Sequence, residues 1–180
     1  VAFAFLLSED NQRRYEQLQI LRQNEGESTV TTTLPLLEEV MRLSGSNRLM
    51  LFHQPFINQV AVQFPDADVL LGKPMPVAAA RNFYHQFSGG SFEPRRQLRW
   101  LLDTPQRVSQ YDELARALGQ DMQICIELDV GLHRGGVRSD EQLVTMLDMI
   151  SQSPRLNFCG IMGYEPHIVK MPAGDPKTYR

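Results

Sequence analysis

The amino-acid sequence predicts an α/β fold, a parallel (β/α) barrel of TIM type with about six βα units in view and closure incomplete. Short apolar runs of strand formers alternate with amphipathic helical patterns across short connections, the signature of βαβ crossovers and a parallel sheet. The stretch Gln123–Val137, QICIELDVGLHRGGV, opens as a continuous apolar strand and breaks at Gly131 into a loop carrying His133 and Arg134. A strand buried on both faces that delivers charge at its carboxyl end is the unit of such a fold. The chain has 180 residues, whereas an eight-stranded barrel takes about 250. An open doubly wound sheet is the alternative, although no Gly-x-Gly-x-x-Gly follows the first strand.

The elements follow in order. Ser8 caps an expected helix over Glu9–Gln23, mostly polar, and Asn24–Ser28 forms a turn. Thr29–Thr33 is β-branched and reads as the first strand, and Leu34–Leu43 as a helix with Pro35 in its first turn. Arg48–His53 is the second strand and Pro55–Phe64 its helix; Asp68–Gly72 is the third strand and Val77–Phe87 its helix. Ser88–Ser91 is a flexible loop. Leu98–Asp103 is the fourth strand, and Pro105–Leu118 a helix between a Thr104 cap and Gly119. The fifth strand runs through Ile124 to Val130, with a helix over Ser139–Ser151 whose Asp140 and Glu141 suit the helix dipole. Leu156–Gly160 opens the sixth. Lys170–Arg180 reads as loop. The expected division is a helical lead-in over residues 1–28 and a partial barrel over 29–180.

A net charge of −3, from 18 basic and 21 acidic residues, offers no electrostatic case for nucleic acid. Cys125 and Cys159 both sit in apolar strand-like runs, which fits reduced packing residues better than a disulfide framework. His53, His85, His133 and His167 lack a compact ligand spacing, so no metal is expected. The opening VAFAFLL is too short to span a bilayer, which takes about 20 apolar residues. It is either the remnant of a signal segment or a lead-in that docks on the domain. A cytoplasmic location is favoured, with export the consequence of the first alternative.

In a parallel barrel the loops after the strands share one face, so strand-end residues far apart in sequence meet there. They are Thr31–Thr33, His53 and Gln54, Lys73, Asp103 and Thr104, Asp129 to Arg134, and Tyr164 to His167, an inventory suited to a small anionic ligand. Glu127 and Asp129, at spacing two, share one face, and two buried carboxylates need a partner such as Arg134 or a cofactor donor. His53 reads equally as a hydrogen-bonded core histidine. Lys73, between Gly72 and Pro74, is by default a solvated ammonium, or an amine nucleophile if buried. Arg134, beside Gly135 and Gly136, favours a ligand contact. Phe83, Tyr84, Phe87, Met146 and Met149 read as helix packing.

ELDVGLHRGGV resembles the Asp-x-Gly-x-x-Arg-x-Gly signature of the pyridoxal-phosphate barrels of alanine-racemase type (fold type III). GIMGYEPH resembles the Gly-x-x-x-Tyr-Glu-Gly-His segment of their D-threonine aldolase and D-serine dehydratase relatives. The similarity covers Thr29 to His167. It implies pyridoxal 5'-phosphate as cofactor, Arg134 toward its phenolic oxygen, His167 against the pyridine ring and Tyr164 at the same mouth; Asp129 and His53 are candidate cofactor contacts by their strand-end positions, and the resemblance assigns His53 no role. Pro166 stands where the family has glycine.

In these enzymes the Schiff-base lysine ends the first barrel strand, where this chain has Thr31-Thr32-Thr33-Leu34-Pro35 and no lysine precedes Lys73. Three accounts compete: the chemistry is lost and only a phosphate ligand is bound; Lys73 serves instead; or the sequence omits residues there, a cofactor-modified lysine among them. The last is preferred. The resemblance thus implies an enzyme acting at the α-carbon of an amino acid, a D-amino acid above all, as racemase, aldolase or dehydratase. The alternative is a non-catalytic pyridoxal-phosphate or phosphate-ligand binding protein on the same barrel. A homodimer is a further implication, with an amino acid as the small-molecule partner.

Overall fold

The computed structural model describes residues 33–165. The expected helix over Glu9–Gln23, the first strand up to Thr32, and the segment from Pro166 on, with His167, lie outside them. Thr33 is the first residue of helix α1 (Thr33–Ser44). Then come β1 (Arg48–Leu51), α2 (Gln54–Gln63), β2 (Asp68–Leu71), α3 (Val77–Gln86), α4 (Pro94–Gln97), β3 (Leu98–Leu102), α5 (Pro105–Leu118), β4 (Met122–Leu128), α6 (Asp140–Gln152) and β5 (Leu156–Gly163). These strands are the second to sixth of the sequence reading. Only α4 is new, a single turn opened by Pro94 and too short to leave a periodic signature.

All neighbours are parallel and the strand order is β1-β2-β3-β4-β5. A doubly wound sheet must reverse its order at a switch point; sequential order is that of a barrel wall. The described residues form an open five-stranded arc of such a wall. The helices line its outer side in succession, α2 on α3, α3 on α5 and α5 on α6.

Register assigns the two faces. Trp100 is aligned with Ile124 and packs outward, its ring 5.9 Å from Phe83 on α3 and 5.8 Å from Tyr111 on α5. Phe83, Trp100, Tyr111 and Met146 are all fully buried, and each side chain of that size contributes roughly 2 to 3 kcal/mol. Their polar tips are paired, as burial demands: Tyr111 OH donates to the Met75 carbonyl at 3.1 Å and Trp100 Nε1 to Tyr84 OH at 3.3 Å. Burial pushes the Tyr84 phenol up to about 12. The alternate residues Arg99, Leu101, Gln123, Cys125 and Glu127 therefore face the inner side of the arc.

Helix boundaries follow their caps. Thr104 accepts from the Arg107 amide and Ser139 from the Gln142 amide, both at 3.2 Å, and Gly119 closes α5 in the left-handed conformation at φ 65°. β4 ends at Leu128, two residues before the expected Val130. The chain turns back there: the Val137 amide donates to Glu127 O at 2.8 Å and the Asp129 amide to Val137 O at 3.0 Å. Leu128 and Val137 thus form a parallel bridge, and residues 129–137 close into a ring at the carboxyl end of β4.

Candidate functional site

Gly136 makes that ring possible. Its φ is 96°, and a Cβ there would lie 2.6 Å from both the Asp129 nitrogen and the Leu128 carbonyl carbon, so no other residue fits. Asp129 holds the ring from within. Its side chain is 3% exposed; Oδ1 accepts from the amides of Gly131 at 3.1 Å and His133 at 3.0 Å. Oδ2 meets His133 Nδ1 at 2.9 Å and accepts from Arg138 Nε at 2.7 Å. The His133 ring, then the His133 and Gly131 amides, hold the Asp129 carboxyl far below the usual carboxylate range. His133 itself takes a positive φ of 56°.

The ring thereby presents Arg134. Its Nη2 donates to Glu127 Oε1 at 2.5 Å and to the Gly72 carbonyl at 3.0 Å, and the guanidinium carbon lies 4.3 Å from the Tyr164 ring centroid. One cation thus bridges the carboxyl ends of β2, β4 and β5, and the aromatic face adds a cation–π attraction. Gly72 is needed for this, since a Cβ there would run into the Phe52 ring. Glu127 is buried, and its Oε2 has no hydrogen-bond partner among the described residues.

Of the residues expected in the site, the structure joins Arg134 with Tyr164, and separates the two carboxylates in role: Glu127 binds Arg134, while Asp129 organises the ring. Arg138, which also pairs with Asp129, escaped the sequence reading because nothing in its spacing sets it apart. Lys73 is exposed directly after Gly72 on the same rim, with no ion pair among the described residues. His53 is exposed, in extended backbone at the N-cap of α2. It is not a core histidine: β1 ends at Leu51, and the chain leaves the sheet before His53 can turn inward. It stands three strands from β4, about 14 Å along the sheet. Among the described residues no group of three His, Cys, Asp or Glu is placed to hold a metal, and no helix is long and apolar enough to cross a membrane.

Residues 77–178 match the family model for the alanine racemase N-terminal domain. The chain belongs to that family. Solved structures with the family's barrel superpose on it at low identity. An alanine racemase from Clostridium difficile 630 matches at TM-score 0.58 and 10% identity, over 74% of this chain and 36% of its own. D-threo-3-hydroxyaspartate dehydratase from Delftia sp. HT23 matches at 0.63 and 16%, over 76% and 35%. A histidine racemase from Leuconostoc mesenteroides subsp. sake NBRC 102480 matches at 0.59 and 17%, over 72% and 32%. The chain spans about a third of the length of these structures. No curated protein matches it. The barrel reading of the strand order and the resemblance seen in ELDVGLHRGGV are both upheld by these matches, because the family model includes that segment.

Proposed function

We propose that the chain is the N-terminal barrel portion of a pyridoxal-phosphate-dependent enzyme acting at the α-carbon of an amino acid, of D-configuration, as racemase, aldolase or dehydratase. The observation that carries the proposal is Arg134, fixed by Glu127 and the Gly72 carbonyl over the face of Tyr164 at the carboxyl ends of three barrel strands. Catalytic groups of this fold gather at that edge. The donor set fits the cofactor: a guanidinium 31% exposed on an otherwise buried anchor can face an anionic ring oxygen without leaving its own partners.

When bound, pyridoxal phosphate supplies an electron sink for charge developing at the substrate's α-carbon. Arg134 would favour the ionised phenolic oxygen, and Tyr164 would bound the mouth by stacking on the guanidinium. His167 and Asp129 complete the proposed set, Asp129 by holding the ring that carries Arg134. Lys73 and His53 stand on the same rim, Lys73 as the candidate amine, together with any lysine outside this sequence. The lead-in over residues 1–28, the partial barrel over 29–180, a homodimeric assembly and a cytoplasmic location belong to the same proposal.

The second reading, a non-catalytic pyridoxal-phosphate carrier, is favoured by one observation: no lysine precedes Lys73, and Lys73 is exposed. Borohydride reduction of the full-length protein with pyridoxal phosphate, then intact mass and peptide mapping, separates the two. The enzyme reading expects the mass of one reduced cofactor on a single lysine. Yellow protein that loses its colour on gel filtration and traps nothing favours the carrier. No binding at saturating cofactor overturns both.

A further inference from the structure

Three residues of the ring at the end of β4 have positive φ: Gly131 at 102°, His133 at 56° and Gly136 at 96°. Glycine takes such a backbone freely, whereas a residue with a Cβ is crowded against its own carbonyl. Among the described residues His133 is the one case that is not glycine. Burial does not hold it there, since its side chain is 73% exposed. What holds it is Asp129, which accepts from the His133 amide at 3.0 Å and meets its ring Nδ1 at 2.9 Å. A carboxyl kept far below its usual range is ionised and can only accept, so Nδ1 carries a proton and donates.

Arg134 is the next residue in the chain. The backbone at 133 sets the direction in which the 134 side chain leaves the ring, here toward Glu127 and the Gly72 carbonyl and over the Tyr164 ring. With an extended backbone at 133 the chain would run on, and the following side chain would leave on another side.

We propose that His133 is a positioning residue for Arg134: its imidazole, braced on Asp129, holds the left-handed turn that aims the guanidinium across the sheet at Glu127. Its consequence for catalysis rests on the reading of Arg134 as the group that faces the cofactor's ring oxygen. Glycine at 133 would take the turn without crowding but would also let it unwind; the histidine accepts the crowding and supplies the brace. Asparagine is the conservative replacement, because it enters the left-handed region more readily than most residues and its amide can donate to Asp129. Alanine has neither property. Asp129 is not stranded by either change, for Arg138 Nε at 2.7 Å and the Gly131 amide at 3.1 Å still serve its two oxygens.

Full-length protein freed of cofactor is treated with phenylglyoxal, and the modification of each arginine is followed by peptide mapping. Arg116 on α5, 53% exposed and outside the ring, is the internal reference. An unbraced left-handed residue disfavours the aimed state by about tenfold, so His133→Ala should modify Arg134 about tenfold faster than the wild type, with Arg116 unchanged. His133→Asn should return Arg134 to within about threefold of the wild-type rate. A wild-type rate at Arg134 in folded His133→Ala, or a rate in His133→Asn equal to that in His133→Ala, would overturn the proposal. Where the alanine variant does not fold, nitrogen NMR of the wild type decides: a proton on Nδ1 of His133 is expected at neutral pH, and a ring protonated on Nε2 alone would overturn the brace. These readouts need no cofactor, so a protein that binds no pyridoxal phosphate refutes the proposed enzyme and leaves the aim of Arg134 separately measured.

Discussion

Breaking the bond between Arg134 and Glu127 from either side should give unequal costs, and the inequality tests the reading of the site. Glu127 is 3% exposed and Arg134 31%, with 2.5 Å between them. Removing the cation leaves a buried carboxylate unpaired, for which 3 to 5 kcal/mol is usual; because Arg134 is partly solvated, Arg134→Met should cost about 3 kcal/mol. Glu127→Gln keeps the shape and an acceptor oxygen and strands no buried charge. It exchanges a bond between two charged groups for one in which only the donor is charged, a loss of about 1 kcal/mol. In the double variant the side chain at 127 is neutral, so the large penalty vanishes and the total should be about 2 kcal/mol. The pair is then coupled by about 2 kcal/mol, well beyond the deviation of about 0.5 kcal/mol expected of independent sites. Urea unfolding of the four full-length proteins, followed by circular dichroism, measures all the terms. Costs that add within that deviation would refute the claim that Glu127 is held by Arg134.

Two further outcomes test the ring. Asp129 has a depressed folded pKa, so its stabilisation is present above the unfolded aspartate value of about 3.9 and is lost as pH falls through the folded one. Wild type should therefore be more stable than Asp129→Asn at neutral pH, the gap narrowing once pH drops below about 4; a gap unchanged down to pH 2 in denaturant titrations would contradict the assignment. Gly136→Ala meets both a positive φ and backbone atoms at 2.6 Å, whereas Gly119→Ala, at φ 65°, meets nothing within 4 Å. The second should cost about 1 to 2 kcal/mol and the first clearly more in the same unfolding assay; equal costs would count against the ring's geometry.

Most of the described fold was legible because its elements are long enough to show their period. Thr104, Pro105 and Gly119 bracket α5 at the expected residues, and Ser139 caps α6. The end of β4 was not legible. Val130 continues the apolar pattern, but the return of Val137 to the Glu127 carbonyl is a contact ten residues long that no local propensity encodes. The end of β1, expected at His53 and found at Leu51, was missed for the same kind of reason: an apolar run marks a strand's body, whereas its last turn into a helix is decided by how the next element docks. The aromatic residues of α3 were read correctly as packing because their spacing already aimed them at the sheet.

The site divides along the same line. Glu127 and Asp129 have identical spacing and chemistry, so pattern alone could say that both needed partners and could not say which partner each would take. The ring decides it. Gly131 and Gly136 let the chain fold around Asp129, which fills both its oxygens locally, and Arg134 is left pointing across the sheet at Glu127. Its position therefore depends on β2, β4 and β5 at once, through Gly72, Glu127 and Tyr164. Lys73 and His53 each hang from the end of one strand. Any change in barrel register should therefore move Arg134 first, so Arg134 is where the fold of this wall and its chemistry are most tightly joined.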